Sequence, residues 1–303
     1  MRTHCLQEAA LRYFIAVADT GSLTEASARQ HVAASALSRQ IAALEAQLGV
    51  ALFERHPRGM VLTAAGEILL AHARRAELDA RAALEDIGAL QGLRAGLVRL
   101  ATSDAFANEL VPSLCVDFQR QHQGVGFDVM VMPTAEVPEQ VRHGVADIGL
   151  CFSRAPHKDI AVLYRQPAPV LALMLPDHPL AARDSVTLMQ MADWPLALPP
   201  AATTIRQMID IVCSRQGLQL SPQLVSNHAR LMLRFVLNGG GLSVSSEISA
   251  RHLLARGAIV ARPIADAGMD MRDIEVQALA GRGLPVAVQA FLDLLRVRLV
   301  GPA

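Results

Sequence analysis

Residues 11–67, LRYFIAVADTGSLTEASARQHVAASALSRQIAALEAQLGVALFERHPRGMVLTAAGE, decide how this chain is read. Leu11, Phe14, Ile15 and Ala18 recur at helical spacing, and Gly21 stands where a positive φ would stop that helix. Ser22, Leu23, Thr24 and Glu25 are spaced as a capping box. The serine hydroxyl and the glutamate carboxylate are each expected to satisfy an orphan amide of a short second helix that runs to about Gln30. After a turn at residues 31–33, a third helix places Leu37, Ile41, Leu44 and Leu48 on one side and closes at Gly49. Its other side presents Ser35, Arg39 and Ala46, with Ser38 on the flank. That small, polar, arginine-bearing face fits a major groove, although an ordinary solvated helix could also present it.

The segment after Gly49 supports the groove. Residues 52–55 and 60–63 flank His56, Pro57, Arg58 and Gly59, the pattern of a hairpin with a basic tip. Arg55 and Arg58 would reach phosphates or the minor groove beside the third helix, with an affinity that weakens as salt rises. Otherwise they are two solvated loop arginines. From Thr63, a cap, apolar residues recur at Leu69, Ala73, Ala76, Ala80, Ala83, Leu84, Ile87 and Leu90. A helix of that length extends about 40 Å, too far for a small head to bury, so it is expected to pair with a second copy. Gly92, Arg94 and Gly96 mark a linker.

The same run resembles the DNA-binding domain of the LysR-type transcriptional regulators, with the spacing ALSRQI, LE, LG, LFER, LT and AG intact. The resemblance implies a winged helix-turn-helix in which Ser35, Ser38 and Arg39 lie on the recognition helix and Arg55 and Arg58 in the wing. It also implies an operator of duplex DNA, a homodimer through the long helix, a homotetramer, and RNA polymerase as a partner. One departure stands out: the family commonly has Ser-Gln-Pro where this chain has Ala33, Ala34 and Ser35. A helix cap and a glutamine able to pair with adenine are therefore missing, and operator preference should differ.

Beyond residue 96, strand-like and helix-like segments alternate, which argues for parallel strands covered by helices with ligands at the strands' carboxyl ends. Those ends carry Thr102 and Ser103, then Thr134, then Phe152. Later helix starts carry Thr203 and Thr204, then Asn227 and His228. Free amides and the dipole at helix starts favour an anion, while each hydroxyl could equally cap its own helix. The stretches PDHPLA near Asp177 and NGGGLSVSS near Gly240 resemble the family's two-lobed, periplasmic-binding-protein-like effector domain. By that resemblance Ser103, Thr134, Phe152, Thr204 and Asn227 line the cleft; His228 is added on position alone.

The fold class expected is thus an all-α winged helix-turn-helix head with a long linker helix, and then an α/β two-lobed effector domain. The expected bounds are 6–63 for the head, 64–91 for the dimerisation helix and 92–303 for the effector domain. Within the latter, lobe one spans 98–164 and 264–300, and lobe two 165–263.

Composition bounds the rest. The chain has 303 residues, 52% of them hydrophobic and only 4% aromatic, enough for two aliphatic cores. Its 28 basic and 28 acidic residues cancel, so DNA contact must be local. Nearly all the basic residues are arginines, and Lys158 is the only lysine. No stretch approaches the roughly 18 apolar residues of a membrane span, and the first ten residues lack an export pattern, so a cytoplasmic protein is expected. Cys5, Cys115, Cys151 and Cys213 are too dispersed for a metal or disulfide framework, and no cofactor is implied. An enzyme or a solute-binding protein without a DNA-binding role is the rival reading. Against an enzyme stand the lack of GxSxG, HExxH or Walker motifs, and Gly239–Gly241 lack the Lys and Ser or Thr of a phosphate loop.

Overall fold

A computed structural model describes residues 9–57, 59–90, 96–153 and 155–300. The chain divides into two compact units, Met1–Leu93 with Gly281–Val286, and Arg94–Ala280 with Ala287–Ala303.

The first unit opens with α1 (Ala9–Thr20), α2 (Leu23–Gln30) and α3 (Ala34–Leu48). The hairpin β1 (Phe53–His56) and β2 (Gly59–Leu62) comes next, then the long α4 (Ala64–Leu90). Gly21 ends α1 at φ 65°, its amide donating to the Val17 carbonyl at 2.8 Å. Only half of the expected capping box forms. Ser22 Oγ accepts from the Glu25 amide at 3.3 Å, but Thr20 Oγ1 accepts from the Ser22 amide at 3.2 Å, and the Glu25 carboxylate pairs with Arg29 at 3.1 Å. A threonine two residues upstream has taken the glutamate's place.

α3 starts at Ala33 without a side-chain cap and stops at Gly49, φ 69°. One turn before its end, Glu45 reaches out, its carboxylate accepting from the amides of Leu52 at 2.8 Å and Phe53 at 3.3 Å, which fixes the entry to the wing. The wing is tied down at its other end by the Met60 amide, which donates to the Gly21 carbonyl at 2.7 Å. A Cβ at Gly59 would lie 2.5 Å from that same carbonyl oxygen, so the position requires glycine. Phe14, Val17, Ala26 and Leu37 are fully buried in the core, and the Phe14 and Phe53 rings meet at 5.2 Å. Each large side chain buried in this way stabilises the unit by about 1.5–3 kcal/mol. Leu48, expected on the buried side, is 50% exposed, because Gly49 turns the chain away beyond the edge of the core.

Thr63 caps α4, its hydroxyl accepting from the Gly66 amide at 3.0 Å and donating to the Ala51 carbonyl at 2.7 Å. Ala65, Leu69, Leu70 and Ala73 pack on the head core. The helix continues well past that core, and Ile68, Ala83 and Ile87 face solvent.

The second unit begins with β3 (Gly96–Thr102), α5 (Asp104–Ala107), α6 (Leu110–Gln121), β4 (Val125–Val131), α7 (Val137–Arg142), β5 (Ile148–Ser153) and β6 (Ile160–Pro167). Next come β7 (Leu171–Met174), α8 (Leu188–Ala192), β8 (Leu196–Leu198), α9 (Thr204–Gln216), β9 (Leu224–Val225), α10 (Ala229–Leu237), β10 (Leu242–Ser245), α11 (Glu247–Ala255) and β11 (Val260–Pro263). The chain closes with β12 (Asp273–Leu279) and α12 (Val286–Val300). Two five-stranded sheets result, β4-β3-β5-β12-β6 and β11-β7-β10-β8-β9.

The sheets are mixed rather than parallel. β3, β4 and β5 run parallel, as do β8, β9 and β10, but β12 lies antiparallel to β5 and β6, and β7 antiparallel to β10 and β11. The returning strand enters the first sheet from the other lobe, which reverses its direction. The crossings also come later than expected at 164 and 263. β6 stays in the first sheet through Pro167, while Ile264 and Met269 bury themselves in the core of the second lobe. The crossing strands touch where the Ala168 amide donates to the Arg272 carbonyl at 2.8 Å. Among the described residues no helix is long and apolar enough to cross a membrane.

Candidate DNA interface and effector cleft

In the first unit the outer face of α3 is open. Ser35 and Arg39 are exposed, away from the buried Leu37 and Ile41, and Ser38 is half-buried on the flank. Ala42 and Ala46 continue the exposed stripe, and Gln40, an amide donor and acceptor beside Arg39, adds a polar group that the helical spacing did not single out. Arg55 is exposed on β1 opposite Met60, and Arg58 lies outside the described residues. The stripe is therefore shallow, with one long cation rising from alanines and serines, a relief that permits close approach to base edges.

Behind that face, α1 and α4 share charged groups. Arg74 pairs with Asp19 at 2.5 Å, and burial raises the pKa of Glu77 against the pull of Arg81, Arg74 and Arg12.

In the second unit every expected ligand residue lies at or beyond the carboxyl end of a parallel strand: Thr102 and Ser103 end β3, Thr134 comes after β4, Phe152 lies in β5, Thr203 and Thr204 come after β8, and Asn227 and His228 after β9. Their side chains divide into two sets. Thr102 is fully buried and donates to the Leu150 carbonyl at 3.0 Å, and Thr203 donates to the Pro200 carbonyl at 2.8 Å while accepting from the Arg206 amide at 3.4 Å. Both hydroxyls are held by their own backbone. Ser103 is 5% exposed, makes no cap hydrogen bond, and its Oγ has no partner. An orphaned buried hydroxyl costs about 1–3 kcal/mol. Thr134 and Thr204 are half-buried and Asn227 is exposed.

His228 is not solitary. Its Nδ1 lies 2.9 Å from Asp104 Oδ1, and the neighbouring Ala229 amide donates to Asp104 Oδ2 at 2.6 Å. A carboxylate from lobe one thus sits on the start of α10 in lobe two, where the helix dipole favours negative charge. This contact latches the two lobes across the cleft. Sequence could show Asp104 only as an acid in a first turn, because its partners lie more than a hundred residues away.

Phe152 is 6% exposed and stacks on Phe106, with ring centroids at 4.8 Å. Arg272, from the returning crossing, lies over the Phe152 ring at 3.9 Å. It too escaped the sequence, being one arginine in an aperiodic loop. The thiols are chemically quiet: burial raises the pKa of Cys115 and Cys213 and pushes Cys151 up to about 12, away from the thiolate. Cys5 lies outside the described residues. No group of His, Cys, Asp and Glu fit for a metal occurs among the described residues.

Two family models match the chain: "bacterial regulatory helix-turn-helix protein, lysR family" over residues 9–67 and "LysR substrate binding domain" over residues 91–299. The RuBisCO operon transcriptional regulator of Allochromatium vinosum is 27% identical over 78% of both chains. A full-length OxyR variant from Pseudomonas aeruginosa shares the fold at TM-score 0.65 and 24% identity, covering 95% of this chain and 94% of its own. CbnR, solved with its target DNA, shares it at TM-score 0.51 and 23% identity over 98% and 99% of the two chains.

Proposed function

The chain belongs to the LysR family of DNA-binding transcription regulators, and from that premise we propose how this member does its work: α3 reads an operator while the cleft between the sensor's lobes reads a small organic anion. The observation that carries the first half is the α3 stripe, with Ser35 and Arg39 outward over buried Leu37 and Ile41 and Ser38 half-buried on the flank. Arg39 is the base-reading cation, Arg55 and Arg58 hold phosphates, and Ala34 and Ala42 leave room for thymine methyls.

One head covers only a half-site. The length of α4 and its solvent-facing Ile68, Ala83 and Ile87 support self-pairing. A homodimer sets two recognition helices about 34 Å apart, or a multiple of that, on a dyad-related operator, and two dimers make the family's tetramer. The setting is the cytoplasm, with RNA polymerase as the further partner.

For the second half, Ser103, Thr134, Phe152, Thr204 and Asn227 border the cleft, with His228 engaged in the latch; the orphaned Ser103 Oγ supports a ligand there. Binding shifts the balance between lobe arrangements, which the regulator transmits to its heads.

The test is a gel shift at fixed salt on the duplex flanking the chain's own gene, with random duplex as competitor. A discrete band that survives competitor and is lost in Arg39→Ala supports the reading. Binding to both duplexes alike would refute it.

A further inference from the structure

The wing carries the ionisable residues Glu54, Arg55, His56 and Arg58, and only the histidine changes charge between about pH 5 and 8. Side chains alternate along β1, so Glu54 and His56 share the face turned away from Phe53, while Arg55 takes the other. On that outer face the two side chains are 64% and 50% exposed, and His56 Nε2 lies 3.2 Å from Glu54 Oε2. Across the hairpin, Glu54 stands opposite the exposed Val61, and His56 stands opposite Gly59. The position across from the ring admits no side chain, because a Cβ there would meet the Gly21 carbonyl oxygen at 2.5 Å. The ring therefore stands open at the end of its strand.

The acids on the elements packed against the hairpin are engaged elsewhere or set apart from the ring. Glu45 of α3 accepts from the Leu52 and Phe53 amides, and Asp19 of α1 holds Arg74. Glu67 stands exposed in the first turn of α4. Arg58 lies outside the described residues. Among those described, Glu54 is the one charged group within ion-pair distance of the ring. With the ring neutral, the outer face of the wing carries the lone negative charge of Glu54, which a duplex repels. With the ring protonated, the pair is neutral and that cost is gone. Phosphates in turn favour the charged ring, so the duplex and the proton each promote binding of the other.

We propose that DNA binding by this head is proton-linked: His56 takes up a proton as the duplex seats against the wing, so affinity for the phosphate backbone rises as the medium acidifies. This rests on the DNA-binding reading above and adds to that site a regulation that needs no effector. A ring made more basic by neighbouring phosphates contributes its whole gain at the acid end of the histidine range and loses it as pH rises through the raised value of the complex. The gain comes from the backbone, so it is the same on every sequence, and base choice stays with α3.

The test measures dissociation constants of the full-length chain for the duplex flanking its own gene and for random duplex, by fluorescence anisotropy, at one salt concentration and at about pH 6, 7 and 8. Wild type, His56→Gln and His56→Arg are compared, with a melting temperature at each pH to show that every protein is folded. The expected result is that wild type, taken from the highest pH to the lowest, gains at least about threefold more affinity than His56→Gln on both duplexes. His56→Arg, cationic throughout, should follow the pH profile of His56→Gln and bind more tightly than wild type at the highest pH. One shared profile for wild type and His56→Gln would overturn the proton linkage and leave the operator reading standing. A gain on the flanking duplex alone would also overturn it, because a backbone contact does not distinguish sequences. Equal binding of wild type to both duplexes would refute the operator reading instead, and the linkage would still be decided on random duplex. Failure to bind either duplex at any pH would overturn both.

Discussion

The head and the sensor of this chain treat polar side chains in opposite ways. On α3 the functional candidates stand on the outer surface of one regular helix, backed by Leu37 and Ile41. In the sensor, polar side chains turn inward: Ser103 Oγ and Arg272 Nη2 are buried without partners, while the hydroxyls of Thr102 and Thr203 are consumed by the backbone. A surface that meets DNA can be satisfied by water until the duplex arrives. Under the proposed function the sensor's unpaired groups have no such water and carry a cost that a ligand would relieve.

The largest effect that would sharpen this contrast is on stability. Phe14→Ala removes a fully buried ring from the head core and should cost about 3–5 kcal/mol. Calorimetry should show the head transition falling and the sensor transition staying in place. A joint fall would break the division into two units.

Next in size is recognition. Arg39→Ala should lose about 1–3 kcal/mol of discrimination between operator and random duplex, whereas Arg55→Ala should weaken both and flatten the salt slope by about one phosphate's worth. Equal losses on both probes from Arg39→Ala would reassign it to the backbone.

The latch comes third. Asp104→Ala should speed hydrogen exchange of the Ala229 amide by about tenfold, because that amide loses its carboxylate acceptor, with no change in DNA affinity. Unchanged exchange would mean that the lobes meet without Asp104.

The smallest effect is a pH dependence confined to the second lobe. His178 Nδ1 accepts from the Leu180 amide at 3.2 Å and its ring packs on Trp194 at 4.4 Å. Burial lowers its pKa below the usual histidine value. The folded state therefore resists protonation that the unfolded chain accepts, so stability is full above about pH 6.5 and falls as pH drops from there towards the lower folded value. His178→Asn keeps an acceptor and should flatten that decline in the sensor's melting temperature between about pH 7 and 5.

The same contrast governs how much of the molecule was legible in sequence. Helical spacing placed α1, α2, α3 and α4 and the face carrying Ser35 and Arg39, because periodicity reports burial directly. Gly21 and Gly49 marked stops that their positive φ values bear out. The Glu25 half of the capping box failed because a nearer group, Thr20, competes for the same amide. Strand alternation located the loops that carry Ser103, Thr134, Phe152, Thr204 and Asn227, but not the antiparallel return of β12. Nor could it reveal Asp104 on α10 or Arg272 over Phe152. Those contacts join segments far apart in the chain at aperiodic positions, and no local pattern encodes them.

The measurement that bears most directly on the central claim is selection of bound duplexes from a random pool by wild type and by Arg39→Ala, at one fixed salt concentration. The account predicts that wild type enriches a dyad-related motif whose half-sites lie one helical turn or a multiple apart, and that Arg39→Ala loses information at matching positions in both halves. Enrichment of one motif by both proteins, or recovery of duplexes with no motif at all, would contradict it.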